Sequence, residues 1–212
     1  MDTIPNSNRF ADSTVGEADH RIANSLAAIS NLVRMEARNV SAQTTAERAR
    51  QILLDASGRI ETVGRLHRLL AQSNGKAVPA AEFLQDVCAA MSSIAADHQV
   101  SASVECSGDL TIPPKAGLPL GLLTAELFSN SVKYAHPTGL PTFIRVGFDR
   151  GRDGGLTFVF EDDGVGLPEN FDPARDGSLG MRVARALSEQ LCGRYEWQDY
   201  GIGLRFVCRF PA

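Results

Sequence analysis

The sequence predicts an α+β chain in two parts: a helical hairpin over residues 13–76, and an α/β sandwich over residues 77–212 in which helices cover one face of a mixed sheet. Three observations predict it. Ile22, Leu26, Ile29 and Val33 recur at steps of four, three and four, which is one face of an amphipathic helix, and a second such pattern follows. After Pro79 helix-like and strand-like stretches alternate. Within that part, Arg152-Asp153-Gly154-Gly155 separates two apolar runs as the turn of a β-hairpin.

Composition limits the functions open to the chain. With 212 residues, 43% of them hydrophobic and 22% charged, it can bury a substantial core. No apolar run approaches the roughly 20 residues that span a bilayer. Met1-Asp2-Thr3-Ile4-Pro5 lacks the basic and apolar regions of a secretory signal, so a cytoplasmic protein without membrane insertion is expected. Cys88, Cys106, Cys192 and Cys208 are far apart and include no C-x-x-C, which points to core or surface thiols and not to zinc ligands or a disulfide framework. A formal net charge of −4 and the lack of a basic stripe argue against nucleic acid as a partner.

Residues 1–12 mix Asn, Ser, Pro, Asp and Arg without periodicity and read as a flexible lead. The first helix should run from about Ser13 to Arg38-Asn39. The second starts after the capping segment Ser41-Ala42-Gln43-Thr44-Thr45, has Glu47 in its first turn, turns Ile52, Ala56, Ile60, Val63 and Leu70 inward, and stops at Ser73-Asn74-Gly75-Lys76. Two helices with narrow stripes cannot bury both by themselves, so a homodimer that completes a four-helix bundle is expected, with cover by residues 78–212 as the alternative. Beyond Pro79, helices are predicted over 81–96, 118–134 and 180–191, and strands over 100–104, 143–148, 156–161, 194–197 and 203–210.

Three polar clusters stand out against this frame. Asp162-Asp163-Gly164-Val165-Gly166 leaves a predicted strand, and a carboxylate followed by two alternating glycines suits a loop that brings its backbone against a flat polar ligand. An ordinary Asp/Gly turn is the plain alternative for that stretch alone. Glu126, Asn130 and Lys133 fall at steps of four and three on an apolar helix, a row suited to a magnesium-bound polyphosphate. In that row Asn130 can ligate the metal, Lys133 can neutralise phosphate, and Glu126 can accept a proton or orient a water. Gly177-Ser178-Leu179-Gly180 opens the helix that begins with Met181, where free backbone N–H groups and the helix dipole favour phosphate. Only about ten residues separate it from the Asp162 loop, so any lid must be short, and no P-loop motif is present.

The order Glu126-x-x-x-Asn130-x-x-Lys133-Tyr134, Asp162-x-Gly164-x-Gly166, Gly177-x-x-Gly180 resembles the N, G1 and G2 boxes of the ATP-binding domain of the GHKL superfamily, the Bergerat fold. The resemblance implies ATP and Mg2+ as cofactors, with Asp162 on the adenine amino group, Asn130 on the metal, and Gly177 to Met181, Leu179 and Gly180 included, bordering the phosphates. The closing Gly-Thr of that superfamily stands here as Gly203-Leu204, so the threonine hydroxyl is absent or supplied elsewhere. The segment Glu17-Ala18-Asp19-His20-Arg21-Ile22-Ala23-Asn24 resembles the phosphoacceptor segment of HRxxN-type bacterial sensor histidine kinases. It implies γ-phosphoryl transfer to His20 and onward to an aspartate of a response regulator.

Glu17, His20 and Asn24 lie at steps of three and four, so an acid and an amide flank the imidazole on one helix face. A carboxylate on one ring nitrogen would make the other the better nucleophile. Arg21 stands where many kinases of the wider class place an acid, which leaves Glu17 as first choice for the base and Asp19 or Glu126 as alternatives. His67, His98 and His136 read as ordinary histidines, although His136 lies close to the N box. With almost no room for a sensor, the expectation is a sensorless soluble kinase driven by a partner, by its abundance, or by a domain outside this sequence. A response-regulator phosphatase and a non-catalytic phosphotransfer or adaptor protein are the alternatives.

Overall fold

The computed structural model describes residues 30, 33, 34, 37 and 44–212, apart from 74, 97, 174, 176, 178, 200 and 201. The chain divides into two compact units, Met1–His67 and Arg68–Ala212. Glu17, Asp19, His20 and Asn24 lie outside the described residues, as does most of the first predicted helix. Ser30, Val33, Arg34 and Ala37 are helical. Among the described residues no helix is long and apolar enough to cross a membrane.

Helix α1 (Ala46–Ala71) carries Glu47 in its first turn and Arg68 in its last, each at the end where the helix dipole favours its charge. Ile52, Ala56, Val63 and Leu66 form its buried stripe. Two expectations need correction here: Ile60 is 39% exposed, and Leu70 is only half-buried. At about 100° per residue, Ile60 stands about 80° round from Ile52, on the margin of the stripe, whereas Leu66 falls within it. Val33, expected inside on the first helix, is 44% exposed.

The second unit follows in the order β1 (Val78–Pro79), α2 (Ala80–Ile94), β2 (Val100–Cys106), β3 (Thr111–Ile112), α3 (Pro114–Tyr134), β4 (Thr142–Arg150), β5 (Leu156–Asp162), α4 (Leu179–Gln190), β6 (Arg194–Asp199) and β7 (Leu204–Phe210). Five strands form one sheet in the order β2-β4-β5-β7-β6, with β2 and β4 parallel and the other neighbours antiparallel. Strand side chains alternate between faces. Ile144, Val146 and Phe148 of β4, Phe158 and Phe160 of β5, and Phe206 and Cys208 of β7 thus make one buried face. The helices supply the other half of the core, with Leu84 and Val87 from α2, Leu120, Leu123 and Phe128 from α3, and Val183, Ala184 and Leu187 from α4. The sandwich has its helices on one face of a mixed sheet, as its sequence pattern predicts.

Two features depart from the sequence expectation. Helix α3 begins at Pro114, not Leu118, because a proline at the first helical position has its φ already set and lacks only an N–H that would be unpaired anyway. The two-residue strands β1 and β3 pair with each other, and at that length they carry no periodicity to read. They anchor the start of α2, whose Ala80 N–H donates to Leu110 O at 2.9 Å. The turn between β4 and β5 is the expected one, with Gly154 at φ 83° and Gly155 N–H donating to Asp153 Oδ1 at 3.1 Å.

All four cysteines are free, with Cys88 and Cys208 buried and Cys192 exposed. Burial pushes the Cys88 thiol up to about 11 and raises that of Cys208 as well. The thiolate is the reactive form, so at pH 8 Cys88 is almost wholly unreactive and gains reactivity only as pH climbs toward that value. Alkylation of the native protein at pH 8, read by peptide mass spectrometry, is expected to label Cys192 first. Cys88 and Cys208 should react only once denaturant opens the fold.

Candidate functional site

Glu161 and Asp162 are consecutive residues of β5 and therefore face opposite sides of the sheet. On the open side, Glu161 Oε2 lies 2.8 Å from Arg145 Nε and Oε1 lies 3.0 Å from Arg205 Nε. The Arg205 contact is ionic: that Nε has no aligned hydrogen bond. Together the two pairs tie β4, β5 and β7 across one row, immediately before Asp162. A shallow groove of about 580 Å³ runs over this side, with Ser103, Phe143, Arg145 and Arg205 in its lining together with Asp162 and Gly203.

On the helix side, the Asp162 carboxylate is held from three directions. Gly164 N–H donates to Oδ1 at 3.0 Å, Leu204 N–H donates to Oδ1 at 3.2 Å, and the Ser131 hydroxyl donates to Oδ2 at 2.6 Å. A carboxylate offers about four lone-pair sites, so these three donors fix its orientation and leave about one site for a ligand N–H. Asp163 does different work. Its Oδ1 accepts from Phe143 N–H at 2.8 Å and lies 3.0 Å from His136 Nε2, so it fastens the loop to β4 and to the chain just after α3.

The glycines are positions of close approach. A Cβ on Gly164 would come within 2.5 Å of Ala135 Cα, next to the bond from Val165 N–H to Ala135 O at 2.9 Å. Gly203 has φ 88°, its Cβ would run into the Asp162 carbonyl oxygen, and its N–H donates to Gly164 O at 2.6 Å. Gly166 takes φ 73°. At the start of α4, a Cβ on Gly180 would sit 2.6 Å from Asn130 Oδ1, and one on Gly177 would strike the Pro173 carbonyl oxygen and lie 3.1 Å from Met181 Cβ. Leu179 is the first residue of that helix.

The last two turns of α3 therefore join all three polar clusters: Asn130 lies against Gly180, Ser131 holds Asp162, and Ala135 seats Gly164. Along the same helix Glu126 is 6% exposed, Asn130 is half-buried and Lys133 is exposed, so the row runs from the interior to the surface. Among the described residues, no group of three or more His, Cys, Asp or Glu could hold a metal. The Asn130 amide is incompletely satisfied, its Nδ2 being buried without a hydrogen-bond partner. One amide oxygen is the kind of protein ligand that suits Mg2+, which keeps most of its shell as water and phosphate.

Residues 17–95 match HisKA_2, a histidine kinase family, and residues 116–212 match HATPase_c, the histidine kinase-, DNA gyrase B- and HSP90-like ATPases. The chain carries a histidine kinase domain of the HisKA_2 family followed by a HATPase_c ATPase domain. The sensor histidine kinase PdtaS of Mycobacterium tuberculosis is 27% identical over 192 residues, which cover 89% of this chain and 37% of that protein. Blue-light-activated histidine kinase 2 of Erythrobacter litoralis is 24% identical over 188 residues, or 85% and 51% of the two chains. The chain thus spans about a third to a half of these curated relatives. The solved structure of the Erythrobacter litoralis EL346 blue-light activated histidine kinase shares the fold, with a TM-score of 0.74 at 21% identity over 91% of this chain and 59% of that one.

Three contributors to the ATP-binding unit carry little or no signal in the sequence. Ser131 has a little, as a small polar residue next to Asn130 on an apolar helix. His136 was noted only for its nearness, and its partner Asp163 emerges from the fold. The Leu204 N–H had no signal, since any residue but proline supplies one. Gly203→Ala, strained in φ and in collision with backbone, is expected to lower stability to urea by about 1–3 kcal/mol. Gly58→Ala, on α1 with nothing within 4 Å of its Cβ, should instead be neutral or stabilising by about 0.5–1 kcal/mol.

Proposed function

We propose that this chain is an ATP-dependent protein-histidine kinase of a two-component system, which phosphorylates His20 and passes the phosphoryl group to an aspartate of a response-regulator receiver domain. The observation that carries the reading is the convergence of Asn130, Asp162 and Gly180 on the end of α3. In this reading Asp162 accepts from the adenine amino group, and Gly164 and Gly166 let backbone approach the ring. Gly177, Leu179, Gly180 and Met181 border the phosphates at the start of α4, and exposed Lys133 offsets their charge. Asn130 gives its amide oxygen to Mg2+, which when bound shields the polyphosphate and polarises it for transfer.

His20 attacks the γ-phosphorus as the bond to the β-bridging oxygen breaks, and its ring proton passes to a base, a role assigned to Glu17. Asn24, four residues on in the sequence, is assigned the amide beside the imidazole. The buried Glu126 anchors the inner end of the α3 row. A homodimer through the helical hairpin is supported by apolar side chains left exposed on α1: Leu53 at 70%, Leu54 at 49% and Ile60 at 39%. Incubation with magnesium and γ-labelled ATP tests the reading. Acid-labile label is expected in wild type and in neither His20→Ala nor Asp162→Ala. Label persisting in His20→Ala would overturn it, and no labelling combined with faster loss of phosphate from a regulator would favour the phosphatase.

A further inference from the structure

The five-stranded sheet ends on β2, and among the described residues no strand pairs with its outer side. Two bonds fix which of its residues face outward. Thr142 N–H donates to Gln99 O at 2.8 Å, and Ser107 N–H donates to Phe148 O at 3.2 Å. A strand turns the N–H and C=O of successive residues to alternate sides, so Gln99, Ser101, Ser103, Glu105 and Ser107 direct theirs to β4, and Val100, Ala102, Val104 and Cys106 direct theirs away from it. Among the described residues no backbone group meets these outward ones. Ser101, Ala102 and Ser103 are all exposed. Ala102 is exposed although it lies on the helix side, so α2 does not roof the middle of the strand.

Edge strands are ordinarily blunted by being short, by carrying Pro or Lys, by a bulge or by a cover. Strand β2 runs for seven residues in unbroken register with β4 and holds neither Pro nor Lys. Its side chains suit its own copy instead. We infer that β2 is a docking edge for a second copy of this chain, the two β2 strands pairing antiparallel about a twofold axis at Ser103 to make one continuous sheet. In this twofold register all four outward residues meet one another: Val100 faces Cys106 of the second copy, and Ala102 faces Val104 of the second copy. A shift of the axis to Ala102 or to Val104 leaves one of the four without such a partner. Glu105, the one charged residue of β2, then stands opposite Ser101 of the second copy and not opposite itself, and Ser103 meets only a small side chain. Arg145 shares the Ser103 row with its side chain 59% exposed, so the Glu105 carboxylate arrives one row from a guanidinium. A contact in which each copy offers the same patch closes at two chains. None of the residues assigned above to the nucleotide, and none of the exposed apolar residues of α1, takes part in it.

The twofold axis supplies the test. Ser103 occupies a non-hydrogen-bonded position of the proposed pair, where opposite Cα atoms stand about 4.5 Å apart, within disulfide reach. Ser101 is offset from its own copy by four residues along the strand, about 13 Å, and is beyond that reach. Both serines are exposed on the same face of β2, so chance encounters treat them alike. In the full chain carrying Cys192→Ser, which removes the exposed native thiol, Ser103→Cys and Ser101→Cys are each oxidised with copper phenanthroline and followed on non-reducing gels. The Ser103→Cys chain is expected to form the two-chain species about ten-fold faster or more. Adding Ala102→Pro, which removes an outward N–H and no bond to β4, should bring that rate down to the Ser101→Cys rate. Equal rates for the two cysteines would overturn the proposal, as would a Ser103→Cys rate untouched by Ala102→Pro in a chain that circular dichroism shows to be folded. If the proline variant does not fold, the comparison of the two cysteines decides alone.

Discussion

The Asp162 carboxylate depends on three donors from three separate parts of the chain: the hydroxyl of Ser131 on α3, the N–H of Gly164 in the loop after β5, and the N–H of Leu204 at the start of β7. A part-buried carboxylate without such partners would keep a desolvation penalty that nothing offsets. With them it is fixed and aimed. Much of the neighbourhood serves this arrangement. The Arg145–Glu161–Arg205 row locks three strands in register one residue before Asp162, and Gly203 turns the chain tightly enough to bring Leu204 N–H into line.

Helix α3 gives the site its frame. Its first four turns pack Leu120, Leu123 and Phe128 against the sheet, which fixes the helix in place. Its last turns then present, in sequence, Asn130 to Gly180, Ser131 to Asp162, Ala135 to Gly164 and Val165, and the chain continues to His136 against Asp163. Each contact is short range and most lack a long flexible side chain. A site assembled this way loses little side-chain entropy on ligand binding, because its groups are already ordered. The glycines are needed for the same reason: only residues without a Cβ let three backbone segments meet on one helix end.

What was legible in the sequence follows from what sequence encodes. The 3.6-residue and 2-residue periods located the long helices and strands of the second unit, and the Asp162, Asn130 and Gly180 clusters were visible because their residue types are unusual in their surroundings. The α1 period alone includes Ile60, which stands at the margin of the stripe, and does not single out Leu66 within it. Strands β1 and β3 were too short to carry a period. The Ser131 bond and the Leu204 N–H were not legible, since the first requires knowing that α3 and β5 end side by side and the second comes from a group that nearly every residue has.

In the proposed function Asp162 reads the nucleotide base from the helix side of the sheet. A crystal structure of the full chain with Mg2+ and a non-hydrolysable ATP analogue tests it most directly. The expected result places the adenine amino group within hydrogen-bond distance of Asp162, the ring against Gly164, and the phosphates at the start of α4 beside Asn130. A nucleotide seated in the open-face groove between Phe143, Arg145 and Arg205, with its base away from Asp162, would contradict it.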